Sequence, residues 1–198
     1  RTSAPVDTIT PWFIASSVLN GTWIIAWHYE VLWAALLIII ALLVTLVRIN
    51  HTTTKGRSNG AYTLAVRLPF AVYFGWVTVA TVANVSALLV QWGWRGDDVL
   101  GPEGWTIAIL IVAALIGSAV ALINSSAAYA LVIVWAFWGI LARHLSPEEW
   151  NQQYPGVILT LQVLLPIVAI VTLVAFIQWW RTPVAAVPST PARSRVDA

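Results

Sequence analysis

Residues 31–47 read VLWAALLIIIALLVTLV, an uncharged run in which Thr45 is the one polar side chain. A bilayer core of ~30 Å is crossed by about 20 mostly apolar residues in a helix. Only a helix or a closed barrel satisfies its own backbone there. Five further stretches have the same character: 11–28, 64–92, 105–123, 127–142 and 156–180. The corner His28-Tyr29-Glu30 between the first two is tight, so one bent helix competes there with two separate ones. The third stretch is long and carries Arg67 near its start.

The breaks are polar. Residues 50–60 (NHTTTKGRSNG) and 95–104 (RGDDVLGPEG) read as loops, and Asn124-Ser125-Ser126 as a minimal connection. Ser146-Pro147-Glu148-Glu149 has a capping Ser, a Pro at the first helical position and acids in the first turn. That pattern predicts a short interfacial helix over 147–153. The Pro- and Arg-rich tail 181–198 is expected to be disordered. The fold expected is all-α: a polytopic transmembrane helical bundle of about six spans, one domain over 1–180 with a tail 181–198.

Composition agrees. Of 198 residues, 60% are hydrophobic and 9% charged, with a mean hydropathy of +0.82. A soluble domain carries about 25% charged residues. The principal partner is therefore the lipid bilayer. The chain has no Cys, which excludes disulfides and thiolate chemistry. A net charge of +2 argues against nucleic acid as a partner.

Basic residues orient the spans. With six spans, Arg48, Lys55, Arg57, Arg67, Arg181, Arg193 and Arg195 fall on the same side as Arg1. Glu30, Asp97, Asp98, Glu103, Glu148 and Glu149 fall on the other. Both termini are expected to be cytoplasmic, in a bacterial inner (plasma) membrane.

Catalytic chemistry finds little footing. A retinal-type Schiff base needs a Lys within a helix, and the only Lys, Lys55, is in a loop. His28 and His144 sit at span edges and His51 in a loop, so paired intramembrane His ligands are missing. No HExxH, GxSxG or P-loop pattern occurs. Every Asp and Glu lies in a loop, a tail or a corner, whereas proton-coupled transport places carboxylates mid-membrane. The chain is read as a non-enzyme with no obligatory cofactor.

Thirteen Trp residues are unusual. Trp12, Trp92, Trp94, Trp105, Trp179 and Trp180 lie at span ends, where an aromatic belt explains them. Trp23, Trp76, Trp135 and Trp138 lie inside spans, where packing filler competes with a flat apolar ligand pocket. Polar residues inside spans are few. Ser and Thr can bond back to their own helix, but Asn20 and Asn84 must find partners, either as glue between helices or facing a cavity. Trp76, Ala80 and Asn84 lie at spacings that put them on one face, as do Asn20 and Trp23. The first and third spans are therefore expected to pack together, with these side chains turned from lipid.

Leu19-Asn20-Gly21-Thr22-Trp23 resembles the LNxxW of the translocator protein family, the tryptophan-rich sensory (TspO/MBR) proteins. Residues 73–84, YFGWVTVATVAN, resemble that family's PYLxWVxFAxxLN signature, with Tyr73, Trp76, Val77, Ala80 and Asn84 in register and Val72 at the Pro position. The resemblance covers about residues 16–92, corresponding to the family's third to fifth helices, with residues 105–180 as extra helices. The first two helices of the family would lie upstream of Arg1, so the chain is read as a divergent, C-terminally extended relative. The resemblance implies binding of a flat hydrophobic ligand, porphyrin or sterol-like, at Asn20, Trp23, Tyr73, Trp76, Ala80 and Asn84. Arg67-Leu68-Pro69-Phe70-Ala71-Val72 also fits a reversed sterol-recognition pattern, a weak signal.

Two other classes stay open. Ala113, Gly117 and Ala121 make a small-residue stripe suited to a homodimer or to a structural subunit of a larger membrane complex. Pro166, midway along the last span, could break that helix as in small-solute transporters.

Overall fold

The computed structural model describes residues 4–54, 60–94 and 100–182. All secondary structure among them is helical: α1 (Ala4–His28), α2 (Leu32–Thr53), α3 (Gly60–Gln91), α4 (Gly101–Ile123), α5 (Ala127–Leu145) and α6 (Pro155–Arg181). All six contain a stretch long and apolar enough to cross a membrane. Of the tail expected over 181–198, Arg181 still belongs to α6, and 183–198 lie outside the described residues.

The corner after α1 is a true break. Glu30 has φ +56°, a left-handed conformation that a right-handed helix cannot pass through. Two helices, not one bent helix, result. The interfacial helix expected over 147–153 does not form. Ser146 closes α5 instead, and residues 147–152 are turns. Asn151 and Gln152 have φ of +41° and +58°, which stops the helical ladder. The connection closes instead through Asn151 N–H to the Ser146 carbonyl and Gln152 N–H to the His144 carbonyl. The loop expected from residue 50 starts later, because α2 runs through Asn50 to Thr53.

In lipid, apolar side chains gain little by facing one another, so close fit and interhelical bonds hold the bundle. The buried side of α2 is Ala35, Ile39, Leu42, Leu46 and Ile49, spaced four and three alternately as in a coiled-coil seam. α1 packs on α2, α2 on α3, α3 on α5, α5 on α6 and α6 on α4. Two glycines permit close approach. A Cβ on Gly75 of α3 would stand 3.0 Å from the Tyr129 carbonyl oxygen and from Val132 Cβ of α5. A Cβ on Gly117 of α4 would stand 3.1 Å from Ile133 Cγ1 of α5. The small-residue stripe of α4 is thus turned inward: Gly117 lies against α5 and Ala121 is fully buried. α6 runs unbroken through Pro166. Glu103 in the first turn of α4 accepts the Gly156 N–H at 2.7 Å, occupying an orphan donor at the start of α6.

Candidate functional site

α1 and α3 both lie against α2, and their backbones do not come into close contact with each other. Long side chains close the gap. Trp23 Nε1–H donates to Asn84 Oδ1 at 3.2 Å, and Phe13 meets Phe70 edge-on with ring centroids 5.9 Å apart. These two contacts show that α1 and α3 run in the same direction. Asn84 is buried, and its Nδ2 donates back to the Ala80 carbonyl at 2.8 Å. The expectation that Asn84 needs a partner therefore holds twice over: one in its own helix, one in α1.

Asn20 behaves differently. It stands between buried Ser16, one turn before, and half-buried Trp23, one turn after, on the same stripe of α1. Its amide makes no hydrogen bond with any described residue, so the expectation of a helix–helix partner fails for it. The Tyr73 hydroxyl likewise makes none among the described residues. Tyr73 and Ala80 are half-buried against the core, eleven and four residues before Asn84, close to its face of α3. Asn20 and Trp23 of α1, and Tyr73, Ala80 and Asn84 of α3, thus lie on the sides of the two helices joined by the Trp23–Asn84 bond.

Trp76 is not among them. It is 48% exposed and lies against Trp135 of α5, with centroids 5.4 Å apart, on the outside of the bundle. The shared face expected for Trp76 and Asn84 was too coarse an approximation. Eight residues advance a helix by about 80° beyond two whole turns, enough to move a side chain from the side bonded to α1 to the outside of the bundle. Trp135 and Trp138 are also exposed, so of the four Trp inside spans only Trp23 turns inward. Of the belt Trp residues, Trp92, Trp94, Trp105, Trp179 and Trp180 sit at or near helix ends, whereas Trp12 lies two turns inside α1, because that helix already begins at Ala4. Trp94 and Trp105 pack edge-on at 4.3 Å across the α3–α4 connection. The hydroxyls of Thr22, Thr78, Thr81, Ser86, Thr160 and Thr172 bond to carbonyls four residues back, as expected of membrane helices.

The sequence reading missed a second polar cluster. At the end of the bundle where α3 begins, Arg67 is buried at 7% exposure and its Nη2 donates to the Asn124 carbonyl at 3.4 Å. Asn50 Nδ2 donates to Asn124 Oδ1 at 3.0 Å, linking α2 to the α4–α5 turn. In the sequence Asn50 and Asn124 stand as loop residues, and Arg67 as an orienting charge and part of the reversed sterol pattern. A lone Arg inside an apolar stretch was the available signal.

Helices of this length and polarity, built round an inward Trp–Asn bridge, define a polytopic α-helical membrane protein with its polar contacts inside the bundle. The chain belongs to the TSPO-like protein family, whose sequence model matches residues 1–177. That match takes in α4, α5 and most of α6 as well as the stretch that carries the two motifs. No curated protein and no solved structure matches the chain.

Proposed function

We propose that this TSPO-like membrane protein binds a flat apolar molecule of porphyrin or sterol type in the groove between α1 and α3 and performs no catalysis on it. The observation that carries the proposal is the Trp23–Asn84 bridge across that groove, with the unpartnered Asn20 amide one turn away. A ring system laid against Trp23 would bury area at little entropy cost. Asn20 and the Tyr73 hydroxyl would meet its polar edge, which relieves the cost of leaving an amide unpaired in hydrocarbon. Ala80 leaves room beside them. Among the described residues no carboxylate, His or Lys stands beside Trp23, Asn20 and Asn84 to move a proton, so binding or passage is the activity proposed. The distribution of Arg and Lys supports a cytoplasmic position for both termini, and a bacterial inner membrane is the location proposed.

Titration of the purified protein with protoporphyrin, followed by Trp fluorescence and the porphyrin absorbance band, tests this. Saturable binding is expected. Trp23→Ala should weaken it by roughly three- to tenfold, the worth of one aromatic contact. Trp76→Ala, on the outer face, should bind as wild type does. Absence of saturable binding, or loss with Trp76→Ala and not with Trp23→Ala, would refute the groove.

A further inference from the structure

We infer that the protein holds a second site, at Arg67, for the phosphate of an anionic membrane lipid. This inference is independent of the α1–α3 groove. Two cavities of about 250 and 350 Å³ adjoin at the end of the bundle where α3 begins, and Arg67 and Ser125 line both. One is apolar, walled by Leu64, Leu68, Phe176 and Trp179. The other is the more polar of the two, edged by His51, Thr54, Asn124 and Thr182 beside Ile123. A guanidinium at the junction of a polar and an apolar cavity is the arrangement an amphiphile with an anionic head requires.

Three features favour phosphate at the head. Arg67 brings a guanidinium, the cation whose planar fork suits phosphate oxygens, to the wall shared by both cavities, where its Nη2 also donates to the Asn124 carbonyl. The Ser125 hydroxyl makes no hydrogen bond among the described residues, and Ser125 is held at φ +47° in the turn before α5. Ala127 and Ala128, at the start of α5, line the cavity, where helix amides and dipole favour an anion. No Asp or Glu among the described residues lines either cavity to oppose it.

The backbone is adapted here as well. α3 contains a π-helical stretch, Thr63–Arg67, that ends at the arginine itself. Such turns are rare and concentrate at functional positions. Depth fits a lipid and not a free ion. The cavity reaches Trp179, beside Trp180 and Arg181 at the end of α6, so it lies in the aromatic belt at headgroup level. Leu64, Leu68 and Phe176 are exposed at its rim and open it sideways to the bilayer, where acyl chains can run. Basic pockets between helices at this depth recognise anionic lipid heads.

The test is native mass spectrometry of the full chain, delipidated in a nonionic detergent and offered equal amounts of phosphatidylglycerol and phosphatidylcholine. One phosphatidylglycerol should be retained in preference by about tenfold, the worth of hydrogen bonds to a charged group. Arg67→Gln should bring the ratio near one. Leu64→Glu, which sets a carboxylate at the exposed rim without touching the core, should lower it too and keeps the test valid if Arg67→Gln does not fold. Arg48→Gln, removing an exposed charge at the same end of the bundle, should leave the ratio unchanged, as should Trp23→Ala. No preference in the wild type overturns the site. So does a preference that survives both Arg67→Gln and Leu64→Glu, or one lost equally with Arg48→Gln, which would mean general attraction to basic surface. Displacement of the lipid by inorganic phosphate would make this a free-anion site and overturn the lipid assignment.

Discussion

Trp23 and Asn84 show how much a single polar pair carries when the solvent is lipid. Their bond links α1 to α3 across a gap that the backbones do not close. Interhelical bonds of this kind average ~0.6 kcal/mol and reach ~1.7. A double-mutant cycle of Trp23→Phe and Asn84→Ala, read by resistance to unfolding in detergent, should give a coupling in that range. Independent, additive effects would mean that the bond contributes nothing. Tyr129 offers a second case. It is 1% exposed, and its hydroxyl donates to Thr78 Oγ1 of α3 at 3.1 Å. Tyr129→Phe should cost about 1 kcal/mol by the same assay, without changing protoporphyrin binding, because Tyr129 lies on α5 and away from the groove. The motif residues were visible in the sequence at this scale. The side of α3 that bears Trp76 was not, since an error of one fifth of a turn separates groove from lipid.

At the scale of the helix, ends were legible and faces were not. Polar runs, Pro and Gly marked where helices stop, because a backbone can leave its helix only where water or protein meets its donors. There were two exceptions: residues 50–53, polar yet helical in α2, and residues 147–152, which carried a good capping pattern that local left-handed residues overrode. Faces were hidden because lipid and core are both apolar. On α2, buried Ile39 and Leu42 and exposed Leu37 and Ile40 are chemically alike. Glycines expose the difference experimentally. Gly75→Ala places a methyl 3.0 Å from a backbone oxygen and from Val132 Cβ, neither able to rotate away. It should destabilise by roughly 1–3 kcal/mol, as overpacking does. Gly139 in α5 is exposed, with nothing within 4 Å of an added Cβ. Gly139→Ala should stabilise by about 0.5–1 kcal/mol through helix propensity alone. Thermal melts in detergent that ranked the two variants the other way would contradict this packing.

For the whole molecule, the excess of Arg and Lys at one end predicts the orientation. The chain has no Cys, so single-Cys variants report cleanly. His51→Cys, at the end of α2, should be shielded from an impermeant maleimide in intact cells. Glu148→Cys, in the α5–α6 turn, should label. The reverse pattern would invert the topology. Composition and hydropathy by themselves determined that the chain lives in a membrane, how many helices it has and where most of them end, because burying a backbone in hydrocarbon leaves few alternatives. Two short motifs pointed to its family. Only the tertiary structure decided that Trp76 faces outward, that the stripe of α4 packs inward, and that Arg67 and Ser125 meet at one cavity. Those depend on which side of each helix finds another helix. Where lipid is as apolar as the protein core, that choice is made by shape and by a few hydrogen bonds, which no periodicity in the sequence records.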